Sequence, residues 1–282
     1  MITEAERTWL SELYEYNRKK FLSTDLPSHD HNHHLRVWYF VKELLTELEN
    51  AGNVIPSAIP EKMIFASFFH DIGLTETLNE EHGKVSRRIC LDFIKQNNIS
   101  FSGGDDDLLD SIEHHDDKSY KLSITKNSGP LELYTMLTVC DDLDAFGAIG
   151  VFRYLEIYLL RNISFENLPG KVLQNITSRF DNFSMIYSFL KKFTIRHTGR
   201  YEYTRNFYED LSECLNNLTE SNDIDTGPVE AINWLMENYV TRKFPGIKIQ
   251  LPEPEKKNSH YRKDFINTFL EEINASKPTD KK

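Results

Sequence analysis

Apolar residues recur at helical spacing along most of the chain. Between residues 34 and 50 they form the i, i+3, i+4, i+7 stripe of a helix that packs on one side. Similar spacing predicts further helices at about 3–22, 61–70, 82–96, 108–115, 131–143, 151–160, 183–193, 203–218 and 229–240. Strand-like alternation is scarce. The pattern therefore predicts an all-α protein.

The helices are interrupted by loops rich in Gly, Pro and acidic residues, without repeats or low-complexity linkers. We expect a helical core over residues 1–164 and a helical C-terminal extension over residues 165–282. Residues 251–282 are polar enough to predict a frayed end, although Phe265, Phe269 and Leu270 have the spacing to dock one short helix.

Composition excludes several classes of protein. A chain of 282 residues can bury a core without disulfide or metal cross-links. Its 3 cysteines are widely spaced, which predicts no disulfide framework and a reducing compartment. The N-terminus lacks a signal segment and no apolar run is long enough for a membrane span, so we expect a cytoplasmic protein. The net charge of -11 disfavours nucleic acid as a partner. Phosphorylated small molecules stay open as partners, because a metal can supply positive charge.

Residues of metal-ligand type concentrate at four places: HDHNHH at 29–34, HD at 70–71, EHHDD at 113–117 and CDDLD at 140–144. They lie on different predicted helices or helix ends, which a bundle can bring together in its interior. Imidazole and carboxylate groups suit a divalent cation such as Mn, Fe, Zn, Co, Ni or Mg. The sequence therefore predicts a divalent metal site.

Three of these stretches resemble motifs of one family. HDHNHHLRVW resembles the HDxxHxxRVW opening of HD-domain phosphohydrolases, and HDIG at 70–73 is similar to the pair that gives the family its name. CDDLDAFGAIGVFR resembles the ADRLDAxGAIGxxR segment of one bacterial branch. The resemblance covers about residues 20–160 and implies an HD-domain helical bundle.

The resemblance implies a ligand set. His33 is implied as the first ligand because it stands three residues before Arg36, and the other implied ligands are His70, Asp71 and Asp141. Asp71 is also the expected catalytic residue, in contact with both metal and water. Around these ligands the resemblance implies supporting residues, namely His29, Asp30, Arg36 and Asp144, the last by capping or by pairing with Arg36 or Arg153. His31 and His34 are expected to face solvent.

Some members of the family hold a second metal with two further histidines. His82, His114 and His115 are the candidates here, and one of the adjacent pair must point away. The alternative is a single metal, with these histidines facing substrate or capping helices.

Substrate phosphate requires nearby cations. The candidates are Lys84, Arg87, Arg88, Lys118 and Arg153, of which Arg153 belongs to a motif and Lys84 shares a helix turn with His82. Asp142 departs from the pattern, because the related branch often has Arg at that position.

The resemblance implies a metal-dependent phosphohydrolase that acts on a phosphorylated small molecule, with a nucleotide as the expected substrate. Three alternatives stay open: a phosphodiesterase or phosphomonoesterase on the same centre, a di-iron oxygenase with four histidines and two aspartates, and a metal-stabilised binding module without turnover. The sequence leaves open whether the chain forms a homo-oligomer.

Overall fold

A computed structural model describes residues 1–79, 81–117, 129–217, 226–240 and 260–275. Within these ranges the chain is helical and has no strand, which confirms the predicted all-α class. A π-helical turn at Glu6–Leu10 lies between the first two α-helices, and a 3-10 helix at Ile72–Thr75 follows the fourth. The α-helices are α1 Ile2–Ala5, α2 Ser11–Phe21, α3 His31–Asn50, α4 Ile59–Phe69, α5 His82–Gln96, α6 Asp106–His114, α7 Leu133–Asp144, α8 Gly147–Leu160, α9 Leu168–Tyr187, α10 Lys191–Asn217, α11 Gly227–Asn238 and α12 His260–Ala275.

One predicted helix, at 183–193, is wrong. The chain turns at residues 188–190, between α9 and α10, where the Leu190 amide donates to the Tyr187 carbonyl at 2.9 Å. The Thr194 hydroxyl donates to the same carbonyl at 3.0 Å. Leu190 is buried within the turn, and Phe193 is buried just after it. The apolar spacing therefore continues across the turn, and the sequence pattern does not show that the helix stops there.

The helices form two compact units. The first contains Met1–Thr24, His29–Asp144 and Asp181–Arg196, and the second contains Asp25–Ser28, Ala145–Phe180 and His197–Lys282. One of these changes of unit falls directly after Asp144. The predicted domain division at residue 164 stays a prediction, since packing alone does not define which segments fold independently.

Helix α4 is the centre of the first unit. It is apolar on almost all sides and packs against α3, α6 and α7, as expected of a fully buried helix. Phe65 lies in its middle, with its ring 5.0 Å from those of Trp9 and Phe101 between centroids. This packing fixes the end of α4, where the helix ends at Phe69 and presents His70 as its C-terminal cap.

Two glycines allow close packing after α4. A Cβ on Gly73 would lie 2.1 Å from the His82 carbonyl oxygen, and one on Gly83 would lie 2.2 Å from the Glu113 carbonyl oxygen. Helix α4 ends before Gly73, which lies within the 3-10 helix. The Gly73 amide donates to the Ser86 hydroxyl at 2.8 Å. These contacts bring the 3-10 helix, the start of α5 and the end of α6 together.

In the second unit, α12 packs against α8 and α11. Phe269 is fully buried, with its ring 5.7 Å from those of Phe152 and Trp234 between centroids. Phe265 is also buried, as the predicted docking of one helix requires. The Glu272 carboxylate accepts hydrogen bonds from the first turn of α8. The predicted frayed segments at 251–259 and 276–282 lie outside the described residues.

The cysteines agree with the sequence prediction. Cys90, Cys140 and Cys214 are buried, and none of them forms a disulfide. In the described ranges, no helix combines the length and the apolar character that a bilayer crossing needs.

The packing around Phe65 predicts a large loss of stability on truncation. Phe65→Ala should lower the free energy of unfolding by about 3 to 5 kcal/mol, because a buried ring in contact with several others leaves a cavity. The measurement is urea denaturation followed by far-UV circular dichroism. Phe189→Ala is the matched control, since that ring is 50% exposed in the same unit. Equal losses in the two variants would contradict the central role of α4.

Candidate metal centre

Four buried side chains converge in the first unit: His33, His70, Asp71 and Asp141. His33 Nε2 lies 3.0 Å from His70 Nε2, 3.4 Å from Asp71 Oδ2 and 3.6 Å from Asp141 Oδ1. Each side chain offers a ligand atom, and these atoms all lie within 4.8 Å of one another. We call this set the first group. It could hold a metal ion.

The first group is assembled from three helices. His33 lies in the first turn of α3, where the Asp30 carboxylate caps the helix by accepting from the Asn32 amide at 2.9 Å. His70 caps the C-terminus of the buried helix α4, and Asp141 lies on α7, which packs against both α3 and α4. The predicted ligands are therefore brought together by the core packing of the unit.

The buried carboxylate of Asp144, outside the first group, orients His33. Asp144 Oδ2 accepts from His33 Nδ1 at 2.7 Å, and the same carboxylate binds Arg36 through Nε at 2.7 Å and Nη2 at 2.9 Å. The predicted pairing of Asp144 with Arg36 is thus present. Because the Asp144 carboxylate accepts the hydrogen bond from Nδ1–H, His33 presents its Nε2 lone pair to the first group, as metal-binding histidines do.

A second group shares Asp71. It consists of Asp71, His82 and His115, all buried. His115 Nε2 lies 2.9 Å and His82 Nε2 3.3 Å from Asp71 Oδ1, whereas the imidazoles of the first group face Asp71 Oδ2. Asp71 therefore directs one carboxylate oxygen to each group.

The remaining imidazoles are oriented by backbone carbonyls. The acceptors for Nδ1 are the carbonyl oxygens of residues 67 for His70, 79 for His82 and 112 for His115, at 2.9, 3.0 and 2.8 Å respectively. A carbonyl can only accept, so each contact selects the tautomer with its proton on Nδ1. In its neutral form, every imidazole in the two groups then has its lone pair on Nε2, the atom that faces the shared aspartate.

This donor set fits a cation. In the tautomers selected at Nδ1, the Nε2 atoms of His33 and His70 are both acceptors, and at 3.0 Å their lone pairs would repel. Two nitrogens each about 2.1 Å from one cation and at right angles to it would be about 3.0 Å apart. A divalent cation therefore resolves the conflict that the side chains leave between them. Mixed nitrogen and oxygen ligands suit the metals predicted from the sequence.

Burial and mutual contacts shift the pKa values of the site. Burial lowers the pKa of His70 to about 3, although the Asp71 carboxylate opposes this. Burial would raise the pKa of the Asp71 carboxyl, but the neighbouring imidazoles of His70 and His115 hold it well below its usual range. Burial also opposes the protonation of His82, yet its hydrogen bond to Asp71 raises the pKa of His82 to about 9. Near neutral pH and without a metal, the site therefore contains an ionised Asp71, a neutral His70 and a protonated His82.

The other predicted histidines have distinct positions. His114 is exposed, so of the adjacent pair only His115 reaches the shared aspartate. His29 is buried, with its ring 5.6 Å from that of His33 between centroids. His31 is half-buried and its ring lies edge-on to Tyr14.

The prediction that His34 faces solvent is wrong. Its ring is fully buried, and Nδ1 donates to Asn17 Oδ1 at 3.0 Å. The ring also lies edge-on to those of His70 and Phe21. Burial and the neighbouring imidazoles lower the pKa of His34 well below its usual range, so it is neutral in this apolar setting. Asn17 and Phe21 both lie on α2, the helix that precedes α3 in the chain.

The candidate phosphate-binding cations lie on the surface, in the second unit or outside the described residues. Lys84 is exposed, with its ammonium 3.6 Å from the Glu81 carboxylate. Arg87 pairs with Asp110 and Arg88 with Glu76 on the surface. Lys118 lies outside the described residues, and Arg153 is buried on α8 in the second unit. Asp142 is fully buried. Their roles toward a substrate stay predictions.

Several supporting groups could not be predicted. The carbonyl acceptors at residues 67, 79 and 112 are backbone atoms and have no sequence signal. Gly83 was not singled out, although its close approach to α6 brings His82 near His115. An isolated glycine in the first turn of a helical pattern is the one available hint.

Comparisons with protein-family models, with curated proteins and with solved structures found no match to this chain. Its family is therefore not shown by similarity. Function is therefore inferred from the geometry of the two groups and from the motif resemblance.

We expect a loss of stability when the buried ion pair of Asp144 with Arg36 is broken. Asp144→Asn should lower the free energy of unfolding by about 3 to 5 kcal/mol, because it removes one charge of a buried ion pair with the Arg36 guanidinium. Asp92→Asn, an exposed control for the same change, should shift it by less than about 0.5 kcal/mol. Urea denaturation of both variants measures this. Losses of similar size would contradict the supporting role of Asp144.

Metal binding should stabilise the fold. At a Mn²⁺ concentration one hundred times the Kd, the folded state should gain about 2.7 kcal/mol, seen as a higher Tm in a thermal shift assay. His70→Ala should remove most of this rise because it deletes a ligand of the first group. His114→Ala should retain it, since that side chain is exposed. An unchanged Tm in the wild-type protein would contradict a metal site.

Proposed function

We propose that this protein is a metal-dependent phosphohydrolase that acts on a phosphorylated small molecule. The observation that carries the proposal is the convergence of His33, His70, Asp71 and Asp141 in a buried set whose lone pairs face one another. A divalent cation held there would lower the pKa of a bound water and polarise a phosphoryl oxygen. Such a centre suits phosphoryl transfer, which depends mainly on positioning and charge neutralisation.

The proposal assigns roles to the protein groups. Asp71 contacts both groups through different oxygens, so it is the residue best placed to orient an attacking water. Asp144 and Arg36 hold the imidazole of His33 in the required tautomer. Asp30 caps the helix that carries His33. The Asp144 carboxylate thus holds the His33 imidazole in place before substrate binds.

The substrate class is inferred from charge and resemblance. A negative net charge of -11 means that the protein surface does not generally attract phosphate, so the bound cation would have to supply that attraction. The motifs resemble those of HD-domain phosphohydrolases, which supports a nucleotide as substrate, whether an ester or an anhydride bond is cleaved. Lys84 is proposed as an additional phosphate contact because it follows His82 by two residues on α5, and a role of Arg153 toward phosphate stays a prediction.

A second candidate function has a specific observation in its favour. Together the two groups contain four histidines and two aspartates, the set that a di-iron oxygenase on an HD scaffold would need. The two functions differ in their requirements. An oxygenase needs iron in both groups and consumes oxygen, whereas hydrolysis proceeds with redox-inactive metals and releases phosphate or pyrophosphate.

The test is a release assay on metal-loaded protein. With Mn²⁺ supplied, we expect phosphate or pyrophosphate release from one class among nucleoside mono-, di- and triphosphates. His33→Ala and Asp141→Ala should each reduce the rate by about 100-fold or more, because each removes a ligand of the centre that activates water, while far-UV circular dichroism stays helical. His114→Ala is the control and should retain the wild-type rate.

The outcomes separate the candidates. Near-normal rates in His33→Ala or Asp141→Ala at saturating metal would overturn the ligand assignment. Two irons per chain with oxygen consumption, and no release with any metal, would favour the oxygenase. A protein that binds metal but shows neither reaction would point to a metal-stabilised binding module.

A further inference from the structure

We propose that the two groups fill in order, the first tightly and the second more weakly, and that the packing at Gly83 determines whether the second group can form. This inference rests on the proposed function only in that both groups bind a divalent cation. It adds a functional difference between the groups, and it assigns a positioning role to a glycine outside the ligand set.

The first group is rigidly supported. Its ligands come from α3, the end of α4 and α7, and these helices pack directly on one another. His33 is oriented by the Asp144 carboxylate, which Arg36 holds at both oxygens. A carboxylate at Nδ1 raises the basicity of a ligand imidazole and fixes its ring. The first group is therefore preorganised for tight binding.

The second group lies at the ends of two helices. His82 is the first residue of α5, whose N-terminus has no side-chain cap, and His115 is the C-terminal cap of α6. At Nδ1 each imidazole donates to a neutral carbonyl three residues earlier in its own segment, not to a carboxylate as His33 does. These contacts fix each ring relative to its own helix end but do not fix the two helix ends relative to each other.

Helices α5 and α6 pack on each other, and Arg87 on α5 pairs with Asp110 and Glu113 on α6. At the ends that carry the two histidines, the packing at Gly83 sets how closely the helices approach. Gly83 follows His82 and lies against the Glu113 carbonyl, two residues before His115, so closely that a Cβ would lie 2.2 Å from that oxygen. The obstacle is backbone, which cannot rotate away as a side chain can. An alanine at position 83 would therefore separate the start of α5 from the end of α6 and move His82 away from His115.

Charge also favours the first group. It contains two carboxylates, Asp71 and Asp141, whereas the second group contains Asp71 alone. Once the first group holds a cation, Asp71 is already partly neutralised, and a second cation would be repelled by the first. Both effects weaken the second step. Activity would then depend on free metal over the concentration range in which the second group fills.

The experiment is a Mn²⁺ titration of the metal-stripped full chain, with free Mn²⁺ followed by electron paramagnetic resonance. We expect two steps in the wild-type protein, with the second at least about tenfold weaker. Gly83→Ala and His115→Ala should lose only the weaker step. Asp141→Asn should lose the tighter step, because Asp141 belongs to the first group alone.

Matched controls isolate the geometry. Gly199→Ala makes the same change on α10, where a Cβ would meet no atom within 4 Å, and His114→Ala removes the exposed neighbour of His115. Both should titrate like the wild-type protein. Circular dichroism identifies any variant that fails to fold, and His115→Ala keeps the test valid if Gly83→Ala is one of these.

Three results would overturn the inference: a single metal per wild-type chain, two steps of equal affinity, or a folded Gly83→Ala that keeps both steps or loses both. Failure of the proposed function is a separate result. Two ordered steps without phosphate release would reject the hydrolase and leave this inference intact.

Discussion

The site depends on one buried carboxylate among four imidazoles. Asp71 lies at the end of a helix that is apolar on almost every side, where an isolated charge would be strongly disfavoured. His33 and His70 face one of its oxygens, and His82 and His115 face the other. Each ring has its Nδ1 proton engaged elsewhere, so in the neutral rings the Nε2 lone pairs converge on the carboxylate. A bound cation would satisfy this arrangement.

The fold serves this constraint in two different ways. Helices α3, α4 and α7 meet through large apolar side chains, and their polar residues at the site are fixed by the ion pair of Asp144 with Arg36. The ends of α5 and α6 instead meet through backbone at Gly83, where the absence of a side chain permits the contact. Both halves of the site thus rest on core packing, but His33 is also held by a buried ion pair, whereas His82 and His115 lie at helix ends whose close approach depends on Gly83. We propose this difference as the physical basis for two metal affinities at one buried site.

Much of the fold could be predicted from the sequence, because long helices leave a strong apolar period. The break at residues 188–190 could not, since Leu190 and Phe193 are buried around the turn and continue the pattern. The first group was predicted because its ligands lie in recognisable motifs. The choice between His114 and His115, the burial of His34 behind Asn17, and the contact at Gly83 depend on how different helices pack together. Such contacts are set by tertiary packing, on which local spacing carries no information.

The most direct measurement of the central claim is the metal content per chain of the purified protein, determined by elemental analysis before and after incubation with Mn²⁺. The account predicts at least one tightly held divalent metal in the wild-type protein and its loss when Asp71, the residue common to both groups, is replaced by alanine. A folded wild-type protein that is metal-free as purified and stays so after incubation would contradict the account. The converging histidines and aspartates would then have to be explained as a structural network alone.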